Sequence, residues 1–266
     1  MKTTGGFKLW QIIYPIGLYY VVSSLCYFAL EMLLGTANET YMLRQLVCAA
    51  VTIPVILKFY MADQNVRDTV YGKRKFNMGR EQFINIAVTV VSVAALGIAV
   101  NNIIAMTPLI QASEGFQTAN QAFFAGTAVY EFLGSCLLIP IAEELLFRGV
   151  VYQRLKLMIG VYPAVICSAL IFGLVHVNLV QFLYAAVLGC LLAFLYEKTG
   201  FFYVPVLGHI AANTVAVVRA ETGWLSFGYA ADAKGIGFTA GMLVVAGVVI
   251  VGFWRWKKNV GFDERD

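Results

Sequence analysis

Apolar runs near the roughly 20 residues needed to cross a ~30 Å hydrocarbon core recur along the whole chain, and no other feature restricts its fold as much. They are read as spans at 10–34, 41–61, 81–106, 126–150, 161–178, 179–197, 200–218 and 236–254. The expectation is an all-α polytopic transmembrane bundle of about eight spans, a single integral-membrane domain over 1–266 with a core at 126–218. Composition agrees: of 266 residues, 60% are hydrophobic and 13% charged. Mean hydropathy is +0.77, which excludes a soluble globular domain. A single cleavable signal peptide does not account for the pattern, because the first run is long and seven more follow.

The loop "MADQNVRDTVYGKRKFNMGR" between the second and third runs carries Arg67, Lys73, Arg74, Lys75 and Arg80. The next one, "TPLIQASEGFQTANQAFF", carries no basic residue. With both termini cytoplasmic, all of the 19 Lys and Arg residues except Arg44, Arg219 and Lys234 fall at cytoplasmic ends, as the positive-inside rule requires. The net charge of +4 is modest and says little by itself; no nucleic-acid partner is expected, and the partner expected is the bilayer. Cys26, Cys48, Cys136, Cys167 and Cys190 lie in apolar stretches without CxxC pairing and read as small buried hydrophobes. The stretch "ETGWLSFGYAADAKG" within 219–235 reads as an interfacial hairpin or a lid. The oligomeric state is left open.

An ionisable side chain inside a span costs at least ~2.5–3.5 kcal/mol at mid-depth, so each one is a functional candidate by default. Glu31, Arg44, Glu131 and Glu197 lie near span ends, where snorkelling or headgroup contact suffices. Three clusters do not, and they hold both histidines. In "PIAEELLFRGVVYQRL" Arg148 follows Glu144 by four residues on the same helical face, so that pair neutralises itself. Glu143, turned about 100° away, lacks this partner and is available as a general base. Pro140 upstream cannot donate its backbone hydrogen bond and opens room for water. In "FGLVH", Phe172 and His176 share a face. In "PVLGHIAAN", His209 and Asn213 point into one space, as two donors for a developing oxyanion or as interhelical glue. At 1.5 Å per residue Glu143 lies ~16 Å, His209 ~14 Å and His176 ~22 Å from the cytoplasmic end of its helix. The motifs therefore reach a similar depth, His176 least well.

EExxxR (Glu143, Glu144, Arg148), FxxxH (Phe172, His176) and HxxxN (His209, Asn213), in this order on successive helices, resemble the CAAX protease and bacteriocin-processing enzyme family. This is also called the Abi family and includes the Ras-converting CAAX endopeptidase. The resemblance covers 126–218; the remaining spans match in topology only. It implies an intramembrane endopeptidase in which Glu143, helped by His176, activates water while His209 and Asn213 form the oxyanion hole. Glu144 and Arg148 would support the first motif, and Phe172 would wall the site. The family is commonly labelled metalloprotease, and Glu143, His176 and His209 are a conceivable zinc set, but HExxH is missing and a metal-free glutamate mechanism is preferred. The implied substrate is a membrane-anchored peptide or protein: a CAAX-like tail, a peptide pheromone or a bacteriocin-type peptide. A prokaryotic plasma membrane is the expected location. Rival readings are a non-catalytic immunity protein that binds a toxin, and a small proton-coupled transporter, for which the repeated halves are missing.

Overall fold

The computed structural model describes residues 5–72 and 78–259. Within them the chain is helical, with no strand. The helices are α1 (Gly5–Leu34), α2 (Tyr41–Tyr71), α3 (Arg80–Ala105), α4 (Glu114–Phe123), α5 (Ala128–Ile159), α6 (Val161–Leu174), α7 (Leu179–Thr199), α8 (Tyr203–Thr222) and α9 (Ala233–Asn259). This is an integral, multi-pass membrane protein: α1, α2, α3, α7 and α9 are each long and apolar enough to cross a bilayer. The α4–α5 pair, bent by 116°, makes a sixth candidate. Two of the eight expected spans fall short of that standard. α6 has 14 residues, a rise of ~21 Å against a ~30 Å core. α8 is long enough at 20 residues, but its polar positions, among them His209, Asn213 and Arg219, make it too polar.

The loop expected from residue 62 is helix to Tyr71, so Arg67 belongs to α2; Lys73, Arg74 and Lys75 lie outside the described residues. The stretch after α8 folds down as an anchored turn. Arg219, buried, donates to the Asn102 side chain at 2.7 Å and to the Leu225 carbonyl at 3.1 Å, and its guanidinium lies over the Tyr229 ring. Arg44 and Glu131, expected at the lipid interface, are buried too. Arg44 closes the α1–α2 turn by donating to the carbonyls of Gly35 and Ala37. Glu197 pairs with Lys156 at 2.5 Å and accepts from the Tyr152 hydroxyl, so its partners are protein groups and not headgroups.

The centre of the bundle is set by apolar burial. Half of the apolar stretch is buried in α3 and in α7, against 11% in α1 and 17% in α9, which face outward. α7 joins two cores. One, with Ile56, Leu146, Phe147, Val150 and Phe172, packs α2, α5 and α6 together. The other, with Val93, Leu188, Leu192, Val204 and Phe253, gathers α3, α8 and α9. Glycine allows the closest approaches: a Cβ on Gly189 of α7 would stand 2.8 Å from Nη2 of Arg148 and 3.1 Å from the Ala169 Cβ. At the opposite end from the α1–α2 turn, Arg154 ties three helices by bonding Asp63 at 2.8 Å and the Gln11 carbonyl at 2.6 Å.

Gly189→Val is expected to displace the Arg148 guanidinium and destabilise the bundle by about 1–3 kcal/mol, the usual cost of overpacking. Thermal unfolding in detergent checks this; an unchanged melting temperature would show that the α5–α7 contact yields freely.

Candidate functional site

α5 is not a uniform helix. Two stretches of wide i→i+5 turns, Phe132–Leu138 and Leu145–Tyr152, bracket the ordinary helical segment Ile139–Glu144 that carries both glutamates. The first stretch explains where Asn213 binds. The Ile139 N–H is turned to the Gly134 carbonyl. In that register the Ser135 carbonyl would look to residue 140, which is proline and has no N–H. Asn213, on α8, supplies the missing donor: its Nδ2 lies 2.8 Å from the Ser135 carbonyl oxygen. Pro140 thus creates the vacancy that draws α8 onto α5.

Four helices meet at the charge cluster. Glu144 and Arg148 form an ion pair at 2.9 Å with both side chains fully buried, as their four-residue spacing suggests. His209 joins them, its Nδ1 2.8 Å from the same Oε1 of Glu144. Its Nε2 faces the other glutamate, 3.7 Å from Oε2 of Glu143. Arg148 lies over the Phe172 ring at 4.5 Å, a cation–π contact from α6, with Gly189 of α7 making space beside it. Phe172 also meets both histidine rings edge-on, at 5.1 Å for His176 and 5.8 Å for His209. It is therefore more than a wall: it is the spacer on which three motifs are assembled.

His176 stands apart from the helical placement expected for it. α6 ends at Leu174 and His176 lies in the turn beyond, although its Nδ1 still meets the Phe172 carbonyl at 2.9 Å. No hydrogen bond or ion pair links it to either glutamate. The next residue, Val177, has φ +62°, a left-handed conformation that is costly for a β-branched side chain. The proposed zinc set of Glu143, His176 and His209 is not assembled: among the described residues no three His, Cys, Asp or Glu side chains gather as a metal-binding group.

Glu143 is half-buried and opens onto a cavity of about 370 Å³ between α1, α2 and α5. His176 opens onto a second, of about 380 Å³, between α4 and the α6–α7 turn, with Asn178 and Gln181. The first cavity is lined along α1 by residues the sequence analysis did not single out: Tyr19, Tyr20, Ser23, Ser24 and Tyr27. Their signal was present as polar side chains at four-residue steps, inside a run read only for its hydropathy.

Arg148→Met is expected to cost about 3–5 kcal/mol, because it leaves buried Glu144 without its cation, whereas Glu144→Gln/Arg148→Met together should cost clearly less. Equal losses in thermal unfolding for the single and double variants would show that this pair is not what holds α5.

Residues 125–215 match the family model described as "Type II CAAX prenyl endopeptidase Rce1-like". The chain is 34% identical over 84 residues to the protein named "Putative membrane peptidase YdiL" of Bacillus subtilis (strain 168), covering 32% of this chain and 34% of that one. It is 32% identical over 97 residues to human CAAX prenyl protease 2, covering 29% of this chain and 30% of that protein. A third relative, YpbD of Bacillus subtilis (strain 168), is 32% identical over 100 residues, covering 36% of this chain and 49% of its own. The alignments thus span about a third to a half of the curated relatives' lengths. No solved structure matches. The matched segment holds all three motifs and every member of the charge cluster. Over its motif-bearing segment this membrane protein is similar to the Rce1-like type II CAAX prenyl endopeptidases.

Proposed function

We propose that this protein is a membrane endopeptidase that hydrolyses a peptide bond in a membrane-associated peptide or protein. One observation carries the reading. Glu143 faces an open cavity while His209, 3.7 Å away, is held from behind by the buried Glu144–Arg148 pair. A base open to water beside a rigidly oriented imidazole is the arrangement that peptide hydrolysis requires.

In this reading Glu143 takes a proton from a water molecule whose oxygen attacks the scissile carbonyl carbon. The negative charge that develops on the carbonyl oxygen is met by Nε2–H of His209 and by the second N–H of the Asn213 amide. Glu143 then returns the proton to the leaving nitrogen as the C–N bond breaks. Donation from Nε2 while Nδ1–H is held by Glu144 requires the doubly protonated ring. The four groups Glu143, Glu144, Arg148 and His209 then sum to zero charge, which suits a site inside a membrane. His176 touches the Phe172 ring but opens onto the second cavity, so its help to Glu143 rests on the family resemblance alone. Candidate substrates are a CAAX-like prenylated tail, as the human relative's name indicates for that protein, a peptide pheromone or a bacteriocin-type peptide. The two Bacillus relatives favour a prokaryotic plasma membrane.

Comparing protein termini in membranes of cells carrying the wild type or Glu143→Gln, at equal expression, tests the reading. Termini made only by the wild type are expected, with at least about a hundredfold loss in the variant. Asn213→Ala should lose about 10²–10³-fold. Identical profiles under conditions where the wild type shows its phenotype would instead favour a binding protein.

A further inference from the structure

The cavity in front of Glu143 has a polarity that the hydrolytic steps do not use. Its α1 wall, within "LYYVVSSLCYFALE", presents Tyr19, Ser23, Tyr27 and Glu31 at successive four-residue steps, with Tyr20 and Ser24 beside them. Residues spaced by four share one helical face, so this is a continuous polar stripe about 18 Å long at 1.5 Å per residue. Glu143 lies at the Tyr19–Tyr20 end. Glu31 lies at the other end, half-buried, its carboxylate without a hydrogen-bond or ion-pair partner among the described residues. No Lys, Arg or His lines the cavity.

The cations nearest that end of the bundle are already engaged. Arg44 is committed to the carbonyls of Gly35 and Ala37 and to the Tyr27 hydroxyl, Arg219 to Asn102 and the Leu225 carbonyl, and Lys234 lies over the Phe227 ring. Snorkelling to a headgroup explains a carboxylate at a span end, but not one that closes a hydroxyl-lined groove leading to a catalytic base.

We propose that Glu31 is a specificity determinant that binds a lysine or arginine side chain of a peptide lying extended along the α1 stripe. This rests on the endopeptidase reading and adds the substrate's chemistry to it. At ~3.3 Å per residue, an extended peptide covers ~18 Å in about five residues. The basic residue therefore sits about five positions from the scissile bond. The hydroxyls of Ser23 and Ser24 are placed to meet the peptide backbone between them, where hydrocarbon would leave it unsatisfied, and Tyr27, whose oxygen accepts from Arg44, keeps its O–H to donate.

The test uses neutral ten-residue peptides, acetylated and amidated, with one lysine, norleucine or glutamate moved through each position. Binding is measured to full-length Glu143→Gln protein in lipid nanodiscs, and to the same protein also carrying Glu31→Gln or Glu31→Lys. At one position the lysine peptide should bind roughly five- to tenfold tighter than the norleucine peptide, the worth of a partly desolvated ion pair. That ratio should fall to about one with Glu31→Gln, and the glutamate peptide should be preferred with Glu31→Lys; a merely structural Glu31 would give no such reversal. No lysine preference, or one that survives Glu31→Gln, overturns the assignment. Cleavage of the same peptides by the wild type separates the two readings. Lysine-selective binding without Glu143-dependent cleavage defeats the endopeptidase reading alone. Cleavage indifferent to Glu31 defeats only the recognition role.

Discussion

A fully buried guanidinium must find its counter-charge inside the protein, and in this bundle Arg148 finds it in Glu144 of its own helix. An uncompensated charge at that depth costs several kcal/mol, so the surrounding helices are organised to complete the pair. α8 brings His209 to the same carboxylate oxygen, α6 brings the Phe172 ring under the cation, and α7 gives way at Gly189. Because one oxygen of Glu144 holds both Arg148 and His209, folding this cluster also aims Nε2 of His209 at Glu143. Stability and site geometry therefore depend on the same atoms.

The backbone of α5 supplies the second condition. Wide turns on either side of Ile139–Glu144 let this short segment rotate relative to a regular helix. Proline at 140 leaves a carbonyl without a partner, and the Asn213 amide repairs it from another helix. A side chain expected to do chemistry thus also has a structural role in the resting protein. Its amide carries a second N–H, so the two roles do not compete for one donor.

Much of this was legible in the sequence. Hydropathy gave the helices and their order, and the four-residue spacing of Glu144 and Arg148 gave their pairing. The three motifs also meet, His209 with the glutamates and Phe172 between the histidines. Other features were not legible, for physical reasons. Hydropathy averages over a window and cannot see that α6 stops at Leu174. Position near a span end suggested snorkelling or headgroup contact for Arg44 and Glu131, yet burial depends on which neighbouring turn folds over them. The polar stripe of α1 was visible only to a reading of faces within a run already read as lipid-facing.

The brevity of α6 has a consequence for the lipid beside it. A helix of 14 residues rises ~21 Å, so the turn that carries His176 ends short of a full ~30 Å hydrocarbon layer. Lipid next to it must either compress, at fractions of a kcal/mol per Å, or admit water as far as His176, Asn178 and Gln181. Either response brings the headgroup layer or its water closer to this second cavity.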